Sequence, residues 1–227
     1  MAKPPSTRSS PAQIEKFLGK SKTLAAFVDS QPRLLFAVDA TASRQPTWNI
    51  ARKLQSEMFL ATRKSASLSV QLCYFRGFHD FYASSWLSDS TALAQKMSQV
   101  RCEGGHTQIA RTLKHAQAEH AKSAIKAVVF IGDANEENAD TLCNMAGQCG
   151  LLKLPLFMFQ EGRNPAVKQT FSDMARLSGG AFAFFDQHSA DTLAALLGAV
   201  ASYAAGGRKA LQMHGSDVAK ALLQQLP

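Results

Sequence analysis

Short apolar runs alternate with segments of helical periodicity along most of this 227-residue chain. The apolar and alternating runs predict six strands, at residues 33–38, 67–75, 78–84, 127–131, 155–160 and 181–185. Apolar residues spaced three and four apart predict helices at 46–61, 89–100, 136–148 and 165–177, with two more around Leu113 and Leu197. This alternation predicts an α/β fold with a doubly wound, mostly parallel central sheet flanked by helices.

Three regions are predicted along the chain. Residues 1–23 form a basic leader with a short helix, for which Ser10 is the expected N-cap and Pro11 the first residue. Residues 24–205 form the α/β domain, and residues 206–227 form a short amphipathic C-terminal tail.

The charge of the chain is concentrated at its ends. The net charge is +8, of which residues 1–23 contribute +4 and residues 206–227 contribute +2. The basic residues are not interleaved with aromatic ones, as they are on many nucleic-acid-binding surfaces. The ends are therefore predicted to be solvated, and no nucleic-acid partner is expected.

The same composition bears on location. No apolar stretch approaches the roughly 18 residues that indicate a membrane span, and no apolar segment follows the first basic residues as it would in a signal peptide. A cytoplasmic location is predicted. The four cysteines fit that compartment as reduced thiols, and since none forms a C-x-x-C pair, a cysteine metal site is not expected.

Five oxygen-bearing side chains are predicted to meet at one edge of the sheet. Asp39, Thr41 and Ser43 follow the first strand, Thr107 follows a glycine loop, and Asp133 follows the buried fourth strand. Open α/β sheets bind ligands beyond the carboxyl ends of their strands, where the strand order reverses. Hard oxygen donors suit Mg²⁺, Mn²⁺ or Ca²⁺ better than Zn²⁺ or Cu²⁺. Each residue alone also has a structural interpretation, as a helix cap or a turn.

Together these residues resemble the metal-ion-dependent adhesion site of von Willebrand factor A (VWA) domains of the bacterial, intracellular type. The family's first motif, D-x-S-x-S, corresponds to residues 39–43 with threonine in the middle position. Its loop threonine corresponds to Thr107, and the aspartate that ends its fourth strand corresponds to Asp133. The resemblance covers roughly residues 33–204 and implies the Rossmann-like VWA fold.

The resemblance also implies a role for each residue of the site. Thr41 and Ser43 would bind a divalent cation directly, most often Mg²⁺, and Thr107 would bind it directly or through water. Asp39 and Asp133 would act mostly through waters. The implied function is a protein-interaction module, not an enzyme, that docks an acidic side chain of its partner on the metal. An AAA-type ATPase or its client is the implied partner.

Some positions depart from the family pattern. The third motif usually reads T-D-G, whereas this chain has Gly132-Asp133-Ala134. Arg44 directly follows the first motif and is predicted to be exposed to solvent. Glu136 and Glu137 are predicted to lie in the first turn of the next helix, where negative charge is favourable.

Two other functions remain open at this point. A Mg²⁺-dependent phosphatase or phosphotransferase on a similar sheet would usually carry a second carboxylate where Thr41 stands, or a lysine after the strand that ends at Ile131. The chain has neither. A structural VWA-like domain without a functional metal is the second alternative, and the departure from T-D-G at Gly132-Asp133-Ala134 keeps it open.

Overall fold

The computed structural model divides the chain into two compact units, Met1–Gln31 and Pro32–Pro227. The residues that it describes are 10–19, 31–54, 58, 68–186 and 190–227. In the first unit a helix, α1, covers residues 11–19. The Ser10 hydroxyl accepts a hydrogen bond from the Gln13 backbone N–H at 3.3 Å, and the Gln13 side chain accepts one from the Ser10 N–H at 2.9 Å. This reciprocal capping confirms the predicted helix start.

The second unit is built on a six-stranded sheet. Its strands are β1 (Arg33–Asp39), β2 (Ser69–Arg76), β3 (Asp80–Ala83), β4 (Ile125–Gly132), β5 (Leu156–Glu161) and β6 (Ala181–Phe185). They lie in the order β3-β2-β1-β4-β5-β6, and only the β2–β3 pair is antiparallel. The predicted doubly wound, mostly parallel sheet is confirmed, because the chain builds from β1 toward one edge and from β4 toward the other.

Helices flank this sheet. They are α2 (Gln45–Leu54), α3 (Ser90–Ser98), α4 (Ile109–Lys122), α5 (Ala139–Leu151), α6 (Pro165–Ser178), α7 (Ala190–His214) and α8 (Asp217–Leu223). The Asp89 side chain caps α3 as predicted, since it accepts a hydrogen bond from the Thr91 N–H at 2.7 Å. Of the predicted helical residues beyond Leu54, only Met58 lies within the described part of the chain, where it is buried and helical.

Apolar side chains fill both faces of the sheet. Phe36 and Val129 belong to the core shared with α2, α3, α7 and α8, whereas Leu35 and Val128 belong to the core shared with α4, α5 and α6. Neighbouring residues of one strand thus point to opposite faces. Burial on both faces explains why the central strands are continuous apolar runs instead of alternating ones.

The last residues of the chain return to the sheet. Helix α7 is kinked at Gly206 and Gly207, and beyond the kink Leu211, Leu222 and Leu226 are buried in the first of the two cores. Within the described residues, no helix has both the length and the apolar character needed to cross a bilayer.

Candidate metal centre

Two of the predicted site residues lie at the point where the strand order reverses. Asp39 is the last residue of β1, and Asp133 directly follows the last residue of β4. The two strands are parallel neighbours, with Val38 paired to Ile131, so their carboxyl ends lie side by side. The sheet topology therefore brings together residues that are far apart in the sequence.

Asp39 is fully buried, and its two carboxylate oxygens are in different situations. Oδ1 accepts a hydrogen bond from the Thr41 N–H at 2.7 Å, which holds the turn after β1. Oδ2 is buried without a hydrogen-bond partner. Burial raises the pKa of Asp39 to about 6, although hydrogen bonds with Thr41 and the charge of Arg44 oppose the rise. A carboxylate placed in this way is stabilised as an anion by a nearby cation.

Ser43 and Asp133 are in direct contact. The Ser43 hydroxyl donates to Asp133 Oδ2 at 3.1 Å, while Asp133 Oδ1 is buried without a hydrogen-bond partner. Ser43 lies in a short 3-10 turn, Ala42–Arg44, and the partly exposed Thr41 precedes that turn without capping it through its side chain. Neither hydroxyl of the first motif is therefore used as a helix cap.

Thr107 is buried in a loop that is tied to both of the other segments. The Glu103 N–H donates to the Ala40 carbonyl at 3.0 Å, which joins this loop to the first motif. The Thr107 N–H donates to the Glu136 carboxylate at 2.8 Å, and its hydroxyl accepts from the Glu136 N–H at 3.2 Å. Helix α4 begins only at Ile109, so the structural interpretation of Thr107 as its cap is wrong.

Gly105 allows the Thr107 loop to pack closely against the end of β2. A Cβ atom at this position would lie 1.8 Å from the Gly77 carbonyl oxygen, so no other residue fits without moving the backbone. The neighbouring His106 N–H donates to the same carbonyl at 3.2 Å. The Gly104 position, by contrast, faces open space.

The two glutamates after Asp133 do not lie in the helix predicted for them. Helix α5 begins at Ala139 with Asn138 as its N-cap, so Glu136 and Glu137 precede it instead of lying in its first turn. The Glu137 carboxylate accepts hydrogen bonds from the first N–H groups of α4, including that of Ala110 at 2.9 Å. Burial raises the pKa of Glu137, and these bonds oppose the rise. Both glutamates thus hold the Thr107 loop in place.

Arg44 is buried at the site, and the prediction that it is exposed was wrong. Its side chain is 1% exposed, and its Nη1 forms an ion pair with Glu161, the last residue of β5. The same nitrogen lies 3.7 Å from Asp133 Oδ2. The Thr47 hydroxyl donates to the same Glu161 carboxylate. Glu161 was not predicted as a site residue. It directly follows the predicted strand at residues 155–160, next to β4, and this position could have indicated it.

The donor set fits a hard divalent cation. Two buried carboxylate oxygens lack partners, on Asp39 and Asp133, and the Ser43 and Thr41 hydroxyls lie on the same loop. Such oxygen ligands are those that Mg²⁺, Mn²⁺ and Ca²⁺ prefer. The described residues contain no group of three or more His, Cys, Asp or Glu side chains arranged to hold a metal, and all four cysteines are free.

Comparisons with known proteins bear on the fold. No family model matches the sequence, and no curated protein matches it. The similar solved structures include an aerotolerance-related membrane protein from Bacteroides fragilis, with 14% identity over 71% of this chain and 94% of that chain and a TM-score of 0.56. They also include the SpRpn10 VWA domain, with 9% identity over 72% of this chain and 95% of that chain and a TM-score of 0.56. A third is the vWF domain of the pilus tip protein Mfa5 from Porphyromonas gingivalis, with 11% identity over 74% of this chain and 93% of that chain and a TM-score of 0.56. The chain has the VWA fold, as the resemblance of its motifs implied.

Proposed function

We propose that this protein is a divalent-cation-dependent interaction module that docks an acidic side chain of a partner protein. The observation that carries the proposal is that Asp39 and Asp133 each keep one buried carboxylate oxygen without a partner, while the Ser43 hydroxyl donates to the other oxygen of Asp133. Leaving buried anionic oxygens unpaired is costly unless a cation compensates them.

In this proposal Asp39, Thr41, Ser43, Thr107 and Asp133 form the metal site. Ser43 and Thr41 supply neutral oxygen ligands, and the two aspartates compensate the charge of the cation and hold its waters. Thr107 completes the site from the loop that Glu136 fixes. Bound Mg²⁺, with Mn²⁺ or Ca²⁺ as alternatives, supplies an open coordination position that an outside carboxylate can fill.

The partner is therefore a protein that presents an Asp or Glu side chain. On the resemblance of the motifs alone we further propose an AAA-type ATPase or its client as this partner and a bacterium as the source. The cytoplasm is proposed as the location on the composition of the sequence. No enzyme activity is proposed, because Thr41 stands where a Mg²⁺-dependent phosphotransferase would usually carry a second carboxylate.

Calorimetric titration of the metal-stripped protein with Mg²⁺, Mn²⁺ and Ca²⁺ tests the metal site. We expect saturable binding in the wild type and none in Asp39→Ala. Asp140→Ala, which changes an exposed aspartate on α5, is the control and should bind like the wild type. Equal binding by wild type and Asp39→Ala would contradict the proposal.

Affinity capture from a cell extract then tests the interaction. A partner that docks on the metal should be retained with Mg²⁺, released by a chelator and not retained by Asp39→Ala. Release by a free carboxylate, added as acetate, should follow as well. If the partner is retained despite chelator and mutation, the proposed metal mechanism is wrong and only the fold assignment stands. If the wild type hydrolyses a generic phosphoester and Asp39→Ala does not, the phosphatase alternative is favoured.

A further inference from the structure

One guanidinium lies among three carboxylates at the candidate metal centre. Arg44 pairs with Glu161 and lies 3.7 Å from Asp133. Its positive charge also lowers the pKa of Asp39. Arginine stays protonated in proteins, so its charge is permanent. Because Arg44, Asp39 and the unpaired oxygen of Asp133 are buried, their charges act on one another with less screening by solvent than charges on the surface.

The contacts of Arg44 are uneven. Only Nη1 reaches carboxylates, while Nε and Nη2 are buried without hydrogen-bond partners. A guanidinium that served only to join two elements would normally use its fork of donors in a bidentate pair. The Thr47 hydroxyl donates to the same Glu161 oxygen, Oε2, that pairs with Arg44, and so helps to hold that carboxylate in place.

The charged side chains around the candidate metal centre carry a net negative charge. With Asp39 ionised, the three carboxylates and Arg44 together carry a charge of −2, which one divalent cation cancels. Without Arg44 the same group would carry −3 and would bind a cation more tightly. The loaded site would then keep a negative charge and would repel an incoming carboxylate.

We propose that Arg44, paired with Glu161, sets the cation affinity of this site by limiting its negative charge. The inference rests on the proposed function, since it assumes that the cation binds at Asp39, Ser43 and Asp133. Arg44 acts as a positioning and charge-setting residue and does not contact the partner, because its side chain is 1% exposed. Its effect is to keep the loaded site neutral and open to an acidic ligand.

A charge series titrated with Mn²⁺ tests the proposal. Arg44→Gln should bind Mn²⁺ about tenfold more tightly than the wild type, and Glu161→Gln about tenfold more weakly. The double variant Arg44→Gln/Glu161→Gln restores the charge of −2 and should bind within about threefold of the wild type. Arg44→Lys keeps the charge and should also bind like the wild type. Circular dichroism and thermal unfolding of the metal-free proteins establish that each variant is folded.

A merely structural role predicts a different order. If Arg44 only supports the loop, both single variants and the double variant will bind Mn²⁺ more weakly, and that result would overturn the proposal. If Arg44→Gln does not fold, the comparison of Glu161→Gln with the double variant decides, because the double variant must bind more tightly. Absence of Mn²⁺ binding in every protein, wild type included, would overturn the proposed metal site and this inference with it.

Discussion

Polar groups at the outer edge of the sheet, at β6, have hydrogen-bond partners, whereas carboxylate oxygens at its centre, at the ends of β1 and β4, lack them. At the edge, the Gln225 side chain accepts a hydrogen bond from the Phe182 N–H at 2.9 Å and donates to the Phe182 carbonyl at 3.0 Å, as a neighbouring strand would. At the centre, Asp39 and Asp133 each keep one buried carboxylate oxygen without a partner.

Two arginines show the same contrast. Arg208 is exposed and donates to the Leu226 and Pro227 carbonyls at 2.7 and 2.8 Å, where it fastens the end of the chain. Arg44 is buried, and two of its nitrogens have no partner. Neutral buried atoms such as Ser69 Oγ also lack partners, but their cost is smaller than that of a charge. Among the described residues, buried carboxylate oxygens without a hydrogen-bond partner therefore distinguish the candidate metal centre from the structural edge.

The largest expected effect comes from breaking the packing that holds the Thr107 loop. Gly105→Ala should lower the free energy of unfolding by about 3 kcal/mol and weaken Mg²⁺ binding, because its Cβ would overlap the Gly77 backbone. Urea unfolding and Mg²⁺ titration measure the two effects. Gly104→Ala adds the same methyl group in open space and should change neither. Equal behaviour of the two variants would show that the loop has another way to pack.

An effect of similar size, but confined to the metal-free protein and to neutral pH, is expected from the charge of Asp39. Its pKa in the folded protein is about 6 against a usual 3.8, so the folded state holds the proton more tightly than the unfolded state. The stability that the protonated Asp39 side chain contributes is present below pH 4 and is lost as the pH rises to about 6.

Asp39→Asn avoids this loss of stability, because the amide side chain does not ionise. The metal-free variant should be more stable than the wild type by roughly 3 kcal/mol at pH 7 and about equally stable near pH 4. Saturating Mg²⁺ should reverse the order at pH 7, because only the wild type gains stability from the cation. Urea unfolding at both pH values measures this, with Asp140→Asn as the control. A variant that is less stable at pH 7 without metal would contradict the assignment of the unpaired oxygen to a ligand.

The smallest effect belongs to the structural edge. Gln225→Ala should lower the free energy of unfolding by about 1 kcal/mol, because the Phe182 N–H and carbonyl lose their partner. Mg²⁺ affinity should stay unchanged, since the edge plays no part in the metal site. Gln224→Ala, at an exposed neighbouring position, is the matched control. A change of Mg²⁺ affinity in Gln225→Ala alone would mean that the two regions are coupled.

Much of the fold could be predicted because it follows from local patterns. Apolar runs marked the strands, and the buried run at β4 indicated a central parallel position. The start of α5 was placed too early, because Glu136 and Glu137 resemble the acidic first turn of a helix. Glu137 caps α4 instead, Glu136 binds the Thr107 N–H in the loop before it, and no local pattern states which N–H groups a carboxylate will reach.

The candidate site could be predicted only in part. Asp39, Ser43 and Asp133 follow from motif spacing and sheet topology, because the carboxyl ends of neighbouring parallel strands meet. Arg44 could not be placed, since its burial depends on Glu161, a distant residue on another strand. Charge pairing of this kind is set by tertiary contacts and leaves no periodic signal in the sequence.

The most direct test of the central claim is anomalous diffraction from crystals soaked in Mn²⁺. We expect one strong peak at the carboxyl ends of β1 and β4, within coordination distance of the Ser43 hydroxyl and beside the unpaired oxygens of Asp39 and Asp133. A well-ordered site with no peak, or a peak only elsewhere on the protein, would contradict it.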